Sequence, residues 1–270
     1  MAAHSDGMRF CGGTLIDWDL VLTSASCVFD PRFAILVTAG DHSIYQQDGT
    51  EQTQYSKQII LHENFNTSGK LENDIALVQL ERKLKTTAAV RPITLVPASF
   101  EIDNATYGII AGWGQTEIPP TTSTTATTEG ARQLSGNLKT AKVPTLNGTA
   151  CGSLASVEVM EGEFCTADVN GGLEGDRGGP LICSNALCCV CGILSRVVTI
   201  ENEEEPTQIV GVFVKVSDYL KWIEDQIPQE PSSTTAASTT TPTQSTTTPA
   251  SASSLFSSSI VIISMISLIL

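Results

Sequence analysis

The sequence has little positive charge, since 15 Lys and Arg residues face 29 Asp and Glu residues and give a formal net charge of −14. This balance disfavours nucleic acid and anionic membrane surfaces as partners. Imidazole is scarce as well, because His4, His42 and His62 are the only histidines. Histidine is the usual general base near neutral pH, so few positions in this chain are available for acid–base catalysis.

Long apolar segments are also missing. The first ten residues hold neither the basic cluster nor the apolar run of a signal peptide, so we expect the natural chain to start upstream of Met1. The apolar run at 260–270 is shorter than the about 20 residues that cross a bilayer. Small residues at 250–253 precede it, which favours a glycosylphosphatidylinositol (GPI) attachment signal. A short membrane anchor and a tail without function are the alternatives.

Hydrophobic residues make up 41% of the 270 positions, which is enough for one β-rich domain with a tail. Residues 217–227 have the apolar spacing of an amphipathic helix, which Pro228 ends. Residues 119–128 form a low-complexity insert, and 229–259 have the Ser/Thr-rich composition of a mucin-like stalk. Short apolar runs predict strands at 11–16, 20–27, 33–40, 58–61, 73–80, 108–114 and 138–146.

The chain has eight cysteines and three Asn-x-Ser/Thr sequons, at Asn66, Asn104 and Asn147. Together they predict an N-glycosylated, disulfide-bonded protein that is extracellular or lies on the outer face of the plasma membrane. Four of the cysteines lie close together, which raises zinc as an alternative to disulfides. That cluster lacks paired Cys-x-x-Cys hooks, so we predict no metal site and no cofactor. Its members are Cys183, Cys188, Cys189 and Cys191.

One stretch, Gly175-Asp-Arg-Gly-Gly-Pro180, resembles the nucleophile loop of the trypsin/chymotrypsin-like serine proteases, the peptidase S1 family. Cys11-Gly-Gly-Thr-Leu-Ile16, Leu22-Thr-Ser-Ala-Ser-Cys27 and Asn73-Asp-Ile-Ala-Leu77 are similar to further motifs of that family, in the same order. The resemblance implies an all-β domain over residues 1–228, with two six-stranded antiparallel β-barrels and a C-terminal helix. It also implies that the first strand is missing, so that the domain is N-terminally truncated.

The resemblance places three residues of this chain at the catalytic positions: Ser26, Asp74 and Arg177. Ser26 stands where the family has its general-base histidine, and a hydroxyl has no basic pKa near neutrality. Arg177 stands where the family has its serine, and a guanidinium has no lone pair for attack on a carbonyl. Asp74 matches the family's aspartate, and without an imidazole it is expected to accept hydrogen bonds from backbone donors or Ser26.

The substrate-binding positions differ too. Gly171 lies where the family sets its primary specificity, and Ser195 and Arg196 lie on its substrate strand, so we expect a degraded pocket. Asp176 matches the aspartate that orders the nucleophile loop through a new N-terminus, a partner expected to be absent here. Arg177 and Arg196 are hypothesised to pair with Asp176 or the acidic run 201–205. The alternative is a solvated acidic loop with unrelated arginines.

The resemblance also implies disulfides between Cys11 and Cys27 and between Cys151 and Cys165. Because Cys183 lacks its distant family partner, we predict two local bridges within 183–191 and leave their pairing open.

These features predict a catalytically inactive serine protease homologue that acts by protein binding, as a cofactor or decoy in an extracellular proteolytic cascade. Its partners would be proteases, their inhibitors or protease substrates, and a lipid anchor would hold it at the membrane. One alternative is a working serine endopeptidase, as the family fold suggests. The other is a GPI-anchored, mucin-like structural surface protein in which the barrels are a spacer.

Overall fold

Short antiparallel strands make up most of the structure. A computed structural model of the chain describes residues 11–30, 34–66, 68–104, 106–114, 135–154, 157–168, 175–183, 189–200, 208–227 and 265–269. The insert at 119–128, the acidic run at 201–205, Gly171, Cys188 and the stalk lie outside the described residues.

The first barrel is closed and contains six strands. They are β1 (Cys11–Asp17), β2 (Leu20–Thr23), β3 (Leu36–Ala39), β4 (Gln52–Leu61), β5 (Ala76–Leu80) and β13 (Met265–Ile269). Each pairs antiparallel with its neighbours in the order β1-β13-β3-β4-β5-β2. Exposure alternates along much of β4, as expected of a strand with one face on a core.

The second barrel is a ring of six strands, with one short parallel strand at its side. The ring contains β7 (Tyr107–Gly112), β8 (Lys139–Leu146), β9 (Glu163–Asp168), β10 (Pro180–Cys183), β11 (Cys189–Ile200) and β12 (Gln208–Lys215). Pairing of β10 with both β7 and β11 joins the two ends of the ring. The side strand is β6 (Thr94–Leu95), which pairs with β11.

Three short helices accompany the described strands: α1 (Ala25–Val28), α2 (Gly148–Gly152) and α3 (Leu220–Gln226). A 3-10 turn at Val216–Tyr219 leads into α3, so the predicted helix at 217–227 is confirmed with a tighter first turn. Within the described ranges, no helix is long and apolar enough to cross a membrane.

The two barrels share an apolar core at their junction. Leu22 and Leu77 of the first barrel pack in one buried cluster with Val190 and Val214 of the second. Ile223 of α3 belongs to the same cluster, so the C-terminal helix packs against this junction. Ser26 and Asp74 lie on segments that adjoin the junction, since α1 follows β2 and Asp74 lies two residues before the buried start of β5.

The structure confirms the all-β architecture of two six-stranded barrels with a C-terminal helix. It differs in how the first barrel is closed. A strand of that barrel was expected to be missing, whereas Met265–Ile269, a segment assigned from sequence to an attachment signal, lies in the sixth place. The observed β4 also begins six residues before the predicted 58–61 strand.

Candidate active-site cleft

Asp74 is the centre of a buried hydrogen-bond network. A tight turn holds it, in which the Ile75 amide donates to the Asn73 carbonyl over 2.7 Å and Asn73 has a φ of 51°. Asparagine tolerates this left-handed conformation better than most residues, which explains its use before Asp74. The Asp74 side chain has no solvent exposure.

Ser26 and Ser195 supply the donors to this carboxylate. The Ser26 amide donates to Oδ1 over 2.6 Å, and the Ser26 hydroxyl donates to Oδ2 over 2.9 Å. The Ser195 hydroxyl donates to Oδ2 over 2.6 Å. The expectation that Asp74 bonds to Ser26 is confirmed. The sequence assigned Ser195 to the substrate strand. The structure adds that its hydroxyl is buried and hydrogen-bonds to Asp74.

Burial raises the pKa of Asp74 above its usual value of 3.8, because the ionised carboxylate is removed from water. The hydrogen bonds from Ser195 and Ser26 and the positive charge of Arg177 oppose this shift. In the family the matching aspartate accepts a hydrogen bond from an imidazole. In this chain the Asp74 oxygens accept from one backbone amide and two hydroxyls instead. Among the described residues, no histidine hydrogen-bonds to it.

We expect Asp74→Asn to alter the pH dependence of stability. Between the ordinary and the raised pKa the folded state binds more protons than the unfolded state. The stability that Asp74 contributes is therefore complete below about pH 3.9 and is lost as pH rises through the folded pKa. The side-chain amide of the introduced asparagine does not titrate, and its oxygen can still accept a hydrogen bond from the Ser26 amide. The free energy of unfolding of the variant should therefore rise with pH relative to that of the unaltered chain. At pH 7 the two free energies should differ by no more than about 1 kcal/mol.

Urea unfolding from pH 4 to pH 8 measures this difference. Asp74→Ala is the control, because it removes every acceptor from the three donors and should destabilise the fold at each pH. A difference between Asp74→Asn and the unaltered chain that does not change with pH would contradict the prediction.

The loop that carries Arg177 has the backbone geometry of a tight, glycine-dependent turn. Gly175 and Gly178 have φ values of 104° and 80°. A Cβ on Gly178 would lie 2.3 Å from the Thr23 hydroxyl, so only glycine fits. The Gly178 amide donates to the Leu194 carbonyl, and the Gly12 amide donates to the Arg177 carbonyl, both over 2.7 Å. The loop shape is thus maintained although its side chain at 177 is an arginine.

Asp176 lies against the glycine-rich end of β7. Its Oδ1 accepts the Gly114 amide over 2.7 Å. Asp176 thus holds the Gly114 backbone beside the loop, and the expectation that it lacks the family's N-terminal partner stays a prediction. A carboxylate fits there since neither Gly112 nor Gly114 has a side chain.

Arg196 forms a two-pronged ion pair with Glu163. Its Nη1 lies 2.6 Å from Glu163 Oε1, and its Nη2 donates to Oε2 over 2.8 Å and to the Glu158 carbonyl over 2.5 Å. The two side chains are 16% and 3% exposed, so the pair is largely desolvated. The described partners of Arg196 are therefore Glu163 and Glu158, neither of which was expected from sequence, and the acidic run at 201–205 lies outside the described residues.

Arg177 differs from Arg196 in its surroundings. It is partly buried, and its charge acts on Asp74. No ion pair within the described ranges involves its guanidinium. Sequence reasoning missed Glu163, although an acidic residue directly before the apolar pair Phe164 and Cys165 was a usable signal.

The two described histidines lie elsewhere. The His62 ring contacts the rings of Tyr219 and Trp222, with centroids 5.3 and 5.2 Å away, and burial lowers its pKa. The His42 amide donates to Asp48.

Asp48 belongs to a group of three acidic residues with Asp41 and Glu51 whose oxygens lie within 4.8 Å of one another. Such a group has the ligand type that a hard cation prefers, and sequence reasoning did not identify it.

The structure confirms the predicted disulfides Cys11–Cys27 and Cys151–Cys165. It adds Cys183–Cys191, a local bridge of the predicted kind, which removes two ligands from the zinc alternative. Cys189 is buried at the start of β11. Disulfides of this kind indicate folding in an oxidising compartment, as expected of an extracellular domain.

The sequons differ in their surroundings. Asn66 and Asn104 are exposed, whereas Asn147 is partly buried and its side chain caps α2 by accepting the Ala150 amide. Glycosylation at these positions stays a prediction.

Two barrels packed across a shared junction, with a glycine-held loop beside a buried aspartate, define a chymotrypsin-like domain. A family model described as Trypsin matches residues 1–223. The chain belongs to the trypsin family of serine proteases, peptidase S1.

Several known proteins are similar to this chain. Trypsin I-P1 of Gallus gallus is 30% identical over 223 residues, which cover 82% of this chain and 80% of that protein. Granzyme H of Homo sapiens is 33% identical over 218 residues, covering 79% and 78%. Chymotrypsin-like elastase family member 1 of Bos taurus is 32% identical over 225 residues, covering 80% and 78%.

Proposed function

We propose that this chain is a catalytically inactive trypsin-family homologue that acts by binding proteins in an extracellular proteolytic cascade. The observation that carries the proposal is the arrangement at Asp74, where Ser26 takes the place of an imidazole beside a loop that presents Arg177. Proton transfer to and from a nucleophile needs a base with a pKa near the working pH, which Ser26 lacks. Arg177 cannot form the acyl intermediate on which the family's mechanism depends.

The intact framework supports binding as the retained function. The disulfides, the shared core and the hydrogen bonds of the Arg177 loop all maintain a defined surface. A protein that keeps this framework without the reacting groups can still present its loops to a protease, to an inhibitor or to a protease substrate. A cofactor or decoy needs no more than this.

Charge in the cleft favours acidic ligand groups. Arg177 is partly buried and, within the described ranges, its guanidinium forms no ion pair. A planar guanidinium of this kind binds a carboxylate through two parallel hydrogen bonds. Arg196 is held by Glu163 and is not available for this role. A ligand with an acidic side chain or a terminal carboxylate at the cleft would complement Arg177.

We expect the purified chain to show no labelling by a fluorophosphonate probe and no turnover of a peptide library, with active trypsin as the positive control. Binding is measured by titrating trypsin-like proteases and their protein inhibitors against the immobilised chain. Arg177→Glu should weaken any complex made through the cleft, because charge reversal replaces attraction by repulsion. Arg91→Glu, a charge reversal at an exposed position, is the matched control.

Turnover blocked by the probe would instead support a working endopeptidase. A chain that binds none of these proteins would favour the spacer alternative, in which the barrels only carry a stalk.

A further inference from the structure

The segment 81–85, which follows β5, carries a dense group of positive charges. Arg82, Lys83 and Lys85, which we call the basic patch, are three of the 15 Lys and Arg residues of the chain. All three are exposed, and within the described ranges no ion pair involves any of them. Glu81 is the one acidic residue of the segment. Three positive charges and one negative charge give it a net charge of +2, in a chain whose formal net charge is −14.

Side chains of β4 hold the basic patch at both of its ends. Arg82 Nε donates to Gln54 Oε1 over 3.3 Å. The Gln52 side chain binds both backbone groups of Lys85, because its Oε1 accepts the Lys85 amide over 2.7 Å and its Nε2 donates to the Lys85 carbonyl over 2.8 Å. Among the described residues no acceptor binds the Nη groups of Arg82, so both can donate to a ligand.

Leu84 anchors the middle of the segment. Its side chain is 5% exposed and belongs to the core of the first barrel. Its amide donates to the Trp18 carbonyl over 2.7 Å. Lys83 and Lys85 flank this anchor and are exposed. The buried residue between the two lysines therefore keeps both of them at the surface.

An exposed aromatic ring adjoins the basic patch. The Tyr55 carbonyl accepts the Glu81 amide over 3.0 Å, and the Tyr55 side chain is 51% exposed. Lys57 is exposed two residues further along β4 and adds a positive charge on that side. An aromatic ring beside cations fits a ligand that combines carboxylates with an apolar side chain. An acidic peptide segment has this chemistry.

We propose that the basic patch and Tyr55 form a docking surface for an acidic segment of a partner protein. The Arg82 guanidinium binds a carboxylate through parallel hydrogen bonds, and the two ammonium groups attract further carboxylates. The remainder of the chain is acidic, so a long sulfated polysaccharide or an anionic bilayer would meet repulsion beyond the patch. A short acidic segment confines its charge to the patch and avoids this repulsion.

The docking surface is separate from the cleft. Asp74 precedes the start of β5 and the basic patch follows its end, and the five residues of β5 alone span about 16 Å. The proposal is independent of the proposed function, because an active protease could carry the same surface.

The probe is a fluorescent, glutamate-rich peptide with one central phenylalanine, whose anisotropy is measured during titration with the full chain. We expect binding at low salt that is lost at high salt, because salt screens exposed charges. The combined variant Arg82→Ala, Lys83→Ala and Lys85→Ala should weaken binding by about tenfold. If this variant does not fold, Lys83→Ala with Lys85→Ala retains the bond from Arg82 to Gln54 and should weaken binding by about threefold.

A second triple variant is the matched control. Combining Lys70→Ala, Lys139→Ala and Lys221→Ala removes the same number of exposed positive charges elsewhere, so the net charge changes equally and binding should be retained. Tyr55→Ser should weaken binding of the probe but not of a peptide with alanine in place of its phenylalanine.

Several results would overturn the proposal. Absence of peptide binding at low salt is one, and equal binding by the two triple variants is another. Loss of binding in Arg177→Glu with full binding in the patch variant would place the peptide in the cleft. Tighter binding of a heparin fragment or of phosphatidylserine vesicles through the same three positions would assign the patch to a polysaccharide or to a membrane. None of these results changes the labelling by a fluorophosphonate, so the proposed function is tested separately.

Discussion

Replacing Arg196 by Ala should destabilise the domain by about 3–5 kcal/mol, the typical cost of removing one partner from a buried ion pair. The Glu163 carboxylate, which is 3% exposed in the intact pair, would lose both of its guanidinium hydrogen bonds and keep the one from the Met160 amide. The Glu158 carbonyl would lose a donor as well. Urea unfolding with the disulfides intact measures the change.

Two variants make this prediction specific. Glu163→Gln combined with Arg196→Met leaves no buried charge and should recover most of the lost stability. Lys70→Ala removes an ion pair with Glu158 whose side chains are 55% and 65% exposed, so it should lower stability far less than Arg196→Ala does. An Arg196→Ala chain as stable as Lys70→Ala would contradict the view that this pair is desolvated.

Placing a histidine at position 26 and a serine at position 177, where the resemblance puts the family's catalytic pair, should create reactivity towards a fluorophosphonate. We expect Ser26→His combined with Arg177→Ser to be labelled at least about 10³-fold faster than the unaltered chain. This gain in labelling rate is well below the loss in catalytic rate, about 10⁶-fold, that follows when the serine or histidine of an active enzyme is removed. Asp74 is buried beside position 26 and can accept from an imidazole N–H, and the loop at 177 already has its turn. Arg196 remains on the substrate strand, so peptide turnover should recover less than labelling.

The single variants separate the contributions. Ser26→His alone lacks a nucleophile and Arg177→Ser alone lacks a base, so each should stay near the unaltered rate. Ser26→His combined with Arg177→Ala controls for non-specific reaction and should not be labelled. Labelling of the unaltered chain at the rate of the double variant would show that another residue acts as the nucleophile.

Local apolar patterns predicted the strands up to Leu146 and the C-terminal helix. The two barrels and the bridges Cys11–Cys27 and Cys151–Cys165 were predicted only through the resemblance to the motifs of the peptidase S1 family. The hydrogen bond between Ser26 and Asp74 could also be expected. A buried carboxylate needs hydrogen-bond donors, and the resemblance to the family places Ser26 next to Asp74.

The partners of the remaining charges could not be predicted. Arg196 and Glu163 lie on β11 and β9, which are separated in the ring by β12, and no local pattern relates them. The same holds for Asp176 with the Gly114 amide and for β13 in the first barrel, where the pairing joins distant parts of the chain.

The sequence by itself determined the chemistry that is available: no imidazole at position 26, no hydroxyl at position 177, and a guanidinium at 196. The tertiary structure alone decided what those groups do. It encloses Asp74 among three donors, pairs Arg196 with a buried glutamate and completes the first barrel with the C-terminal strand. Hydrogen bonds and ion pairs depend on distances of a few ångströms and on exclusion of water, and both are set only when distant segments pack together.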